Sequence, residues 1–220
     1  MLPALIVFDL DGTLIDSAAD LAAAINGMLA DFGCAPLPVP DVRAMIGDGV
    51  AMLVARALTA RHCTRADHAE AAQVFMRHYE ADATSRTTAF PGTHEALQAL
   101  HEADIPLAVC TNKPAGISSR ILAKLGLAKY FARVVGGDSL PYRKPDPRVL
   151  RHLLEAFDAR REEALLVGDS EVDAATASAA GVPFVLMKHG YRRGPAEVIA
   201  CVAALEGFGP LPALVRGLQS

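Results

Sequence analysis

The 220-residue sequence predicts a three-layer α/β fold: helices packed on a buried parallel sheet, with an all-helical segment inserted after the first strand. Three observations carry this. Short apolar runs of β-type residues recur and stop at glycine, aspartate or Thr-Asn. Helical patterns lie between them. From about Ser17 to Asp82 no convincing strand is found, only helical spacing.

Leu5–Leu10 is the first apolar run, carrying Asp9 and stopped by Asp11-Gly12. A strand apolar on both faces belongs inside a parallel sheet. In the helical segment, Leu21, Ile25, Met28, Leu29 and Phe32 follow at helical spacing. Ser17 and Asp20 resemble a capping box, and Gly33 ends the element. "CAPLPVP" reads as a proline-rich link, and Val50–Arg61 and Ala66–Ala81 as two more helices. Beyond it, Gly92–Ala103 reads as a helix, Leu107–Cys110 as a strand ending at Thr111-Asn112, and Ala115–Leu125 as a helix closed by Gly126. Val134-Val135 is a weaker strand, Arg148–Phe157 a helix after "KPDP", and Leu165–Val167 a strand ending at Gly168-Asp169. Val172–Ala180 is the next helix and Phe184–Met187 another strand. The tail after Gly207, rich in glycine and proline, is expected to be a loosely attached end.

Hydrophobic residues make up 52% of the chain with only 5% aromatic and no tryptophan, so alanine, leucine and valine must fill the core. The net charge of −4 has acids and bases interspersed. No basic block suits nucleic acid, and no polybasic segment or apolar span suits a membrane. Cys34, Cys63, Cys110 and Cys201 are scattered without a CxxC pair and are read as free thiols. The start of the chain is too short and too acidic for a signal peptide. A soluble cytoplasmic protein, monomer or homodimer, is the expectation.

Ligands of an open parallel sheet bind beyond the carboxyl ends of its strands. Asp9, Asp11, Thr111, Asn112 and Asp169 all sit at or just past such ends. Carboxylates gathered there repel one another, and a hard cation with oxygen ligands removes the difficulty. Mg²⁺ typically combines one or two carboxylates with substrate phosphate and water. Thr111 adds a hydroxyl, Lys144 in "RKPDP" a positive charge, and Gly12, Gly136, Gly137 and Gly168 allow close backbone approach. Singly, each of these is more often a turn or surface feature; their order at successive strand ends is what points to phosphate chemistry. Histidines fall mostly on polar helix faces without a metal-ligand pattern, and Tyr191-Arg192-Arg193 reads as a solvated loop.

"FDLDGTL", "VCTNK", Lys144 in "RKPDP" and "VGDSEVD" resemble the four motifs of the haloacid dehalogenase superfamily. The resemblance runs from Val7 to about His189. It implies a Rossmann-like core domain, residues 1–15 and 84–220, with a helical cap domain at 16–83. It also implies that Asp9 is a nucleophile forming an aspartyl-phosphate and that Asp11 is the general acid and base. Thr111, Asn112 and Lys144 would hold the phosphoryl group. Asp9, the Asp11 carbonyl and Asp169 would bind Mg²⁺, with Gly168 and Asp173 supporting them. Asp11 argues for phosphate chemistry over carbon–halogen cleavage.

Within the superfamily, "IGDGVAMLVARAL", "TNKP", "GGDSLPYRKPDP" and "HGY" look most like the bacterial phosphoglycolate phosphatases, which implies 2-phosphoglycolate as the small phosphorylated metabolite. Sugar phosphates, nucleotides, pyrophosphate or a phosphomutase reaction remain alternatives. From the residues themselves, Arg43 offers a guanidinium for a substrate carboxylate, and Gly47 and Gly49 flank a turn exposing N–H groups to an anion. The alternative is a solvated arginine and a simple turn.

Overall fold

The structure is a computed structural model that describes residues 2–64 and 66–217. In chain order, β1 (Leu5–Phe8) and β2 (Ile15–Asp16) lead into four helices: α1 (Ala18–Asp31), α2 (Val39–Arg43), α3 (Val50–Ala60) and α4 (His68–Ala81). Next come β3 (Thr88–Ala89), α5 (Thr93–His101), β4 (Leu107–Cys110), α6 (Ala115–Lys124), β5 (Arg133–Val135) and α7 (Arg148–Ala156). The chain continues through β6 (Ala164–Gly168), α8 (Glu171–Ala180), β7 (Phe184–Met187), β8 (Ala203–Leu205) and α9 (Leu211–Gly217).

Six strands form one parallel sheet in the order β5-β4-β1-β6-β7-β8. The chain leaves the central β1 toward β4 and β5, then returns to β6 on its other side. That reversal opens a crevice at the carboxyl ends of β1, β4 and β6. Successive residues of β1 serve opposite faces, as strand geometry requires. Ile6 and Phe8 pack in the cluster that includes Leu97 of α5, Ile121 of α6 and Leu211 of α9. Leu5 and Val7 pack in the cluster that includes Leu153 of α7 and Ala177 of α8. The first cluster continues without a break into Ile25, Leu58 and Phe75 of the helical stretch.

Several expectations need correction. Ser17 and Asp20 form no capping box: Ser17 Oγ donates to Asp11 instead, and buried Asp20 accepts from the Arg86 and Thr87 backbone N–H groups. The proline-rich link runs into the short helix α2, with proline in its first turn, where the missing N–H costs nothing. The small ladder of β2 with β3 and the edge strand β8 escaped the sequence because they are two or three residues long. Cys34 and Cys63 are not free thiols: the ends of α1 and α3 bring their Cα atoms to 6.2 Å and a disulfide joins them across 29 residues. Cys110 and Cys201 are free, Cys110 packing inside the sheet.

The tail is docked, not loose. Phe208 and Leu211 are fully buried, and Phe208 lies against His189 with ring centroids 5.8 Å apart. Phe208→Ala is expected to lower the unfolding free energy by about 3–5 kcal/mol, measured by urea denaturation. A change near zero would show that the tail does not belong to the core.

Candidate active site

At the carboxyl edge, Asp9 still belongs to the sheet through its N–H, which donates to the Val167 carbonyl at 2.9 Å. Its carboxylate meets Lys144, which arrives from the loop between β5 and α7. The lysine Nζ lies 2.8 Å from Asp9 Oδ1 and 2.6 Å from Asp173 Oδ1. Lys144 is 4% exposed, so an unpaired ammonium there would be strongly disfavoured. Burial works against its charged form, but Asp173 and Asp9 outweigh it and raise its pKa.

Asp169 and Asp173 share the turn into α8. Ser170 caps the helix, its Oγ donating to Asp173 Oδ2 at 2.7 Å while the Ser170 N–H donates to the same oxygen at 3.1 Å. Asp169 accepts from Thr13 Oγ1 at 2.7 Å and from the Tyr191 N–H at 2.6 Å. Two glycines make room for these acids. A Cβ on Gly168 would stand 2.5 Å from Asp173 Cγ, and one on Gly12, at φ +86°, 2.5 Å from Asp169 Oδ2.

Asp9, Asp169 and Asp173 each offer a carboxylate oxygen, and these oxygens lie within 4.8 Å of one another. All three residues are buried. Burial pushes the Asp9 pKa up to about 7, with Lys144 opposing and Asp173 adding to the rise. Burial, then Asp173 and Asp9, raise Asp169 well above the usual carboxylate range. Asp9 Oδ1 is buried, and its partner is the Lys144 ammonium. Three crowded carboxylates with a single ammonium among them fit a hard divalent cation.

The carboxylate of Asp11 stands outside that cluster, and Asp173 occupies the third place in it. Asp11 is held by Ser17 Oγ and, through both oxygens at 2.8 Å, by Lys113 Nζ. Lys113 is 5% exposed. Burial opposes its charge, but Asp11 and Tyr79 together outweigh burial and raise its pKa. The sequence reading missed this lysine, although it directly follows the Thr111-Asn112 signal at the end of β4.

Asp9, Asp11, Thr111, Asn112 and Lys113 line one cavity from the sheet side. The helical stretch supplies the opposite wall with Leu21, Leu53, Phe75 and Tyr79, together with Gly47 and Gly49. The glycine loop meets Asn112 through a carbonyl: Asn112 Nδ2 donates to Gly47 O and to Lys144 O, each at 3.0 Å.

Arg43 does not line the cavity. Its guanidinium pairs with Asp16 and lies 5.0 Å from the Tyr191 ring centroid. Tyr191, expected in a solvated loop, is buried, and its hydroxyl donates to Asp16 Oδ1 at 2.7 Å. Arg193 pairs with Asp48 of the glycine loop.

The raised acids set a pH dependence. Between about pH 4 and pH 7 the cation-free folded protein holds protons that the unfolded chain has released, so its stability falls as pH rises through that window. A divalent cation held by these acids would displace those protons and remove the penalty. The rise in melting temperature on adding Mg²⁺ is therefore expected to be larger at pH 7.5 than at pH 5.5. Equal rises at both would separate the cation from these acids.

The family model described as haloacid dehalogenase-like hydrolase matches residues 6–187. The chain is 46% identical to a phosphoglycolate phosphatase of Cereibacter sphaeroides, over 97% of this chain and 98% of that one. It is 44% identical to a phosphoglycolate phosphatase of Rhodospirillum rubrum, over 96% and 90% of the two chains. A crystal structure of a predicted phosphoglycolate phosphatase from Haemophilus somnus superposes with a TM-score of 0.90 at 31% identity, covering 96% of this chain and 97% of that one. With the matched residues spanning the central sheet from β1 to β7, the chain belongs to the haloacid dehalogenase-like hydrolase family.

Proposed function

We propose that the protein is a Mg²⁺-dependent phosphomonoester hydrolase that acts through an aspartyl-phosphate on Asp9, with 2-phosphoglycolate as substrate. The observation that carries this reading is the placement of two acids on one cavity wall in two different settings. Asp9 sits beside the carboxylate cluster and Lys144, whereas Asp11 sits apart on Ser17 and Lys113. A nucleophile and a proton shuttle require that kind of separation. The names of the relatives at 46% and 44% identity support the substrate.

In this reading Asp9 attacks phosphorus, the bond to the ester oxygen breaks, and Asp11 gives that oxygen a proton. Asp11 then takes a proton from the water that cleaves the aspartyl-phosphate, which restores both acids and releases phosphate. Thr111 donates its hydroxyl to the phosphoryl oxygens. Lys144 offsets their charge and orients Asp9. Asp9 and Asp169, with Asp173 behind them, would hold the cation, which supplies electrostatic stabilisation of the transferring phosphoryl group when bound. The stretch 16–83 acts as a cap on the core formed by 1–15 and 84–220, its apolar wall excluding water from the reaction.

Phosphate release from a panel of phosphorylated metabolites, ranked by kcat/KM, tests the substrate; 2-phosphoglycolate is expected first. Another metabolite ranking first would replace it. Asp9→Asn keeps the side-chain volume and leaves Lys144 paired with Asp173. It is expected to lower kcat at least about 10³-fold with the melting temperature little changed. Retained turnover in that variant would rule out the aspartyl-phosphate. Excess chelator should abolish phosphate release, and undiminished rates would count against the metal.

A further inference from the structure

The helical wall of the cavity is apolar except at one point. Tyr79, on α4, is the only residue of that wall with a polar side chain among the described residues. Its hydroxyl oxygen is buried and meets the Lys113 ammonium, and its proton has no acceptor among the described residues. A buried hydroxyl whose proton has no acceptor is unusual and marks a place where one is missing. The ring is fixed, stacked on Phe75 with centroids 5.6 Å apart. Lys113 Nζ lies 4.8 Å from the Tyr79 ring centroid and directs its contacts to the two oxygens of Asp11. An ammonium has three N–H donors; two go to Asp11 and the third meets the Tyr79 hydroxyl oxygen, which leaves the Tyr79 O–H to donate.

We propose that Tyr79 and Lys113 form a subsite for a carboxylate on the leaving group, the Tyr79 hydroxyl donating a hydrogen bond and the Lys113 ammonium supplying the charge, so that the enzyme selects small phosphomonoesters that carry one. The inference rests on the phosphatase reading above and names the residues that would read its substrate. The position follows from the neighbours. Lys113 holds Asp11, the proton donor to the ester oxygen, so a group attached one or two bonds beyond that oxygen comes to rest against Lys113 and Tyr79. Lys113 is the one basic side chain that lines the cavity among the described residues. Arg43, the guanidinium that the sequence offered for this task, is occupied by Asp16 and lies off the cavity.

The test compares kcat/KM for 2-phosphoglycolate with that for 2-hydroxyethyl phosphate, its uncharged counterpart, in the full-length protein with Mg²⁺. The unmodified enzyme is expected to prefer the carboxylate. Tyr79→Phe removes one oxygen and should reduce that preference about tenfold, through a higher KM for 2-phosphoglycolate. Lys113→Met should reduce it further and also lower kcat on both esters, because Asp11 loses its partner. Competition on the unmodified enzyme makes the same prediction without a variant: glycolate inhibits hydrolysis of the uncharged ester and ethylene glycol does not. An unmodified enzyme with no preference, or a preference unchanged within twofold in both variants, would overturn the subsite and leave the phosphatase reading standing. An enzyme that releases phosphate from neither ester overturns the subsite together with 2-phosphoglycolate as substrate.

Discussion

The rest of the site depends on one buried ammonium. Lys144 lies between Asp9 and Asp173 at the edge of the sheet, with its side chain 2% exposed. Without it, Asp9, Asp169 and Asp173 would face one another in a dry environment that disfavours every ionised carboxylate. With it, two of the three acids have a fixed counter-charge and the arrangement can persist with a single positive group. Burial raises the pKa values of Asp9 and Asp169, neighbouring carboxylates add to it, and the charge count still falls short by two, which fits a divalent ion.

Topology makes that convergence possible. Because β1 lies between β4 and β6, residues from three distant parts of the chain leave the sheet side by side: Asp9 and Asp11, then Thr111 to Lys113, then Asp169. Backbone and helix ends set their orientation. Thr111 follows a strand residue and keeps its N–H on the Val135 carbonyl, and Asp173 is locked by the Ser170 cap. Loop residues on a rigid scaffold are where binding and catalytic groups concentrate.

The helical stretch is fastened to this edge by polar contacts from both sides. Asn112 donates to Gly47, Arg193 pairs with Asp48, and Tyr191 donates to Asp16 while its backbone N–H holds Asp169. Tyr191 therefore connects the acid cluster with the first residues of the helical stretch, a connection that a solvated loop would not provide. The disulfide between Cys34 and Cys63 ties the ends of α1 and α3 within the stretch itself.

Much of this was legible in the order of residues. Runs such as Leu107–Cys110 and Phe184–Met187 match the strands to the residue because a strand buried on both faces tolerates little but apolar β-formers. The acids and Lys144 could be named because strand ends in a parallel sheet are where ligand-binding groups collect. Local pattern could not decide what a side chain does when a distant partner competes for it. Ser17 and Asp20 have the spacing of a cap, yet Asp11 and the Arg86–Thr87 backbone claim them. Arg43 has the chemistry of a carboxylate binder, yet Asp16 and Tyr191 hold it aside. Lys113 and Tyr79 lie 34 residues apart on unrelated elements, and only packing of α4 over the end of β4 sets them together. Periodicity and strand-end chemistry are local properties that the sequence determines by itself. The pairing of charges and hydroxyls across 6 to 175 residues is decided only when the chain closes on itself, because each such contact is won against rivals brought in by the tertiary fold.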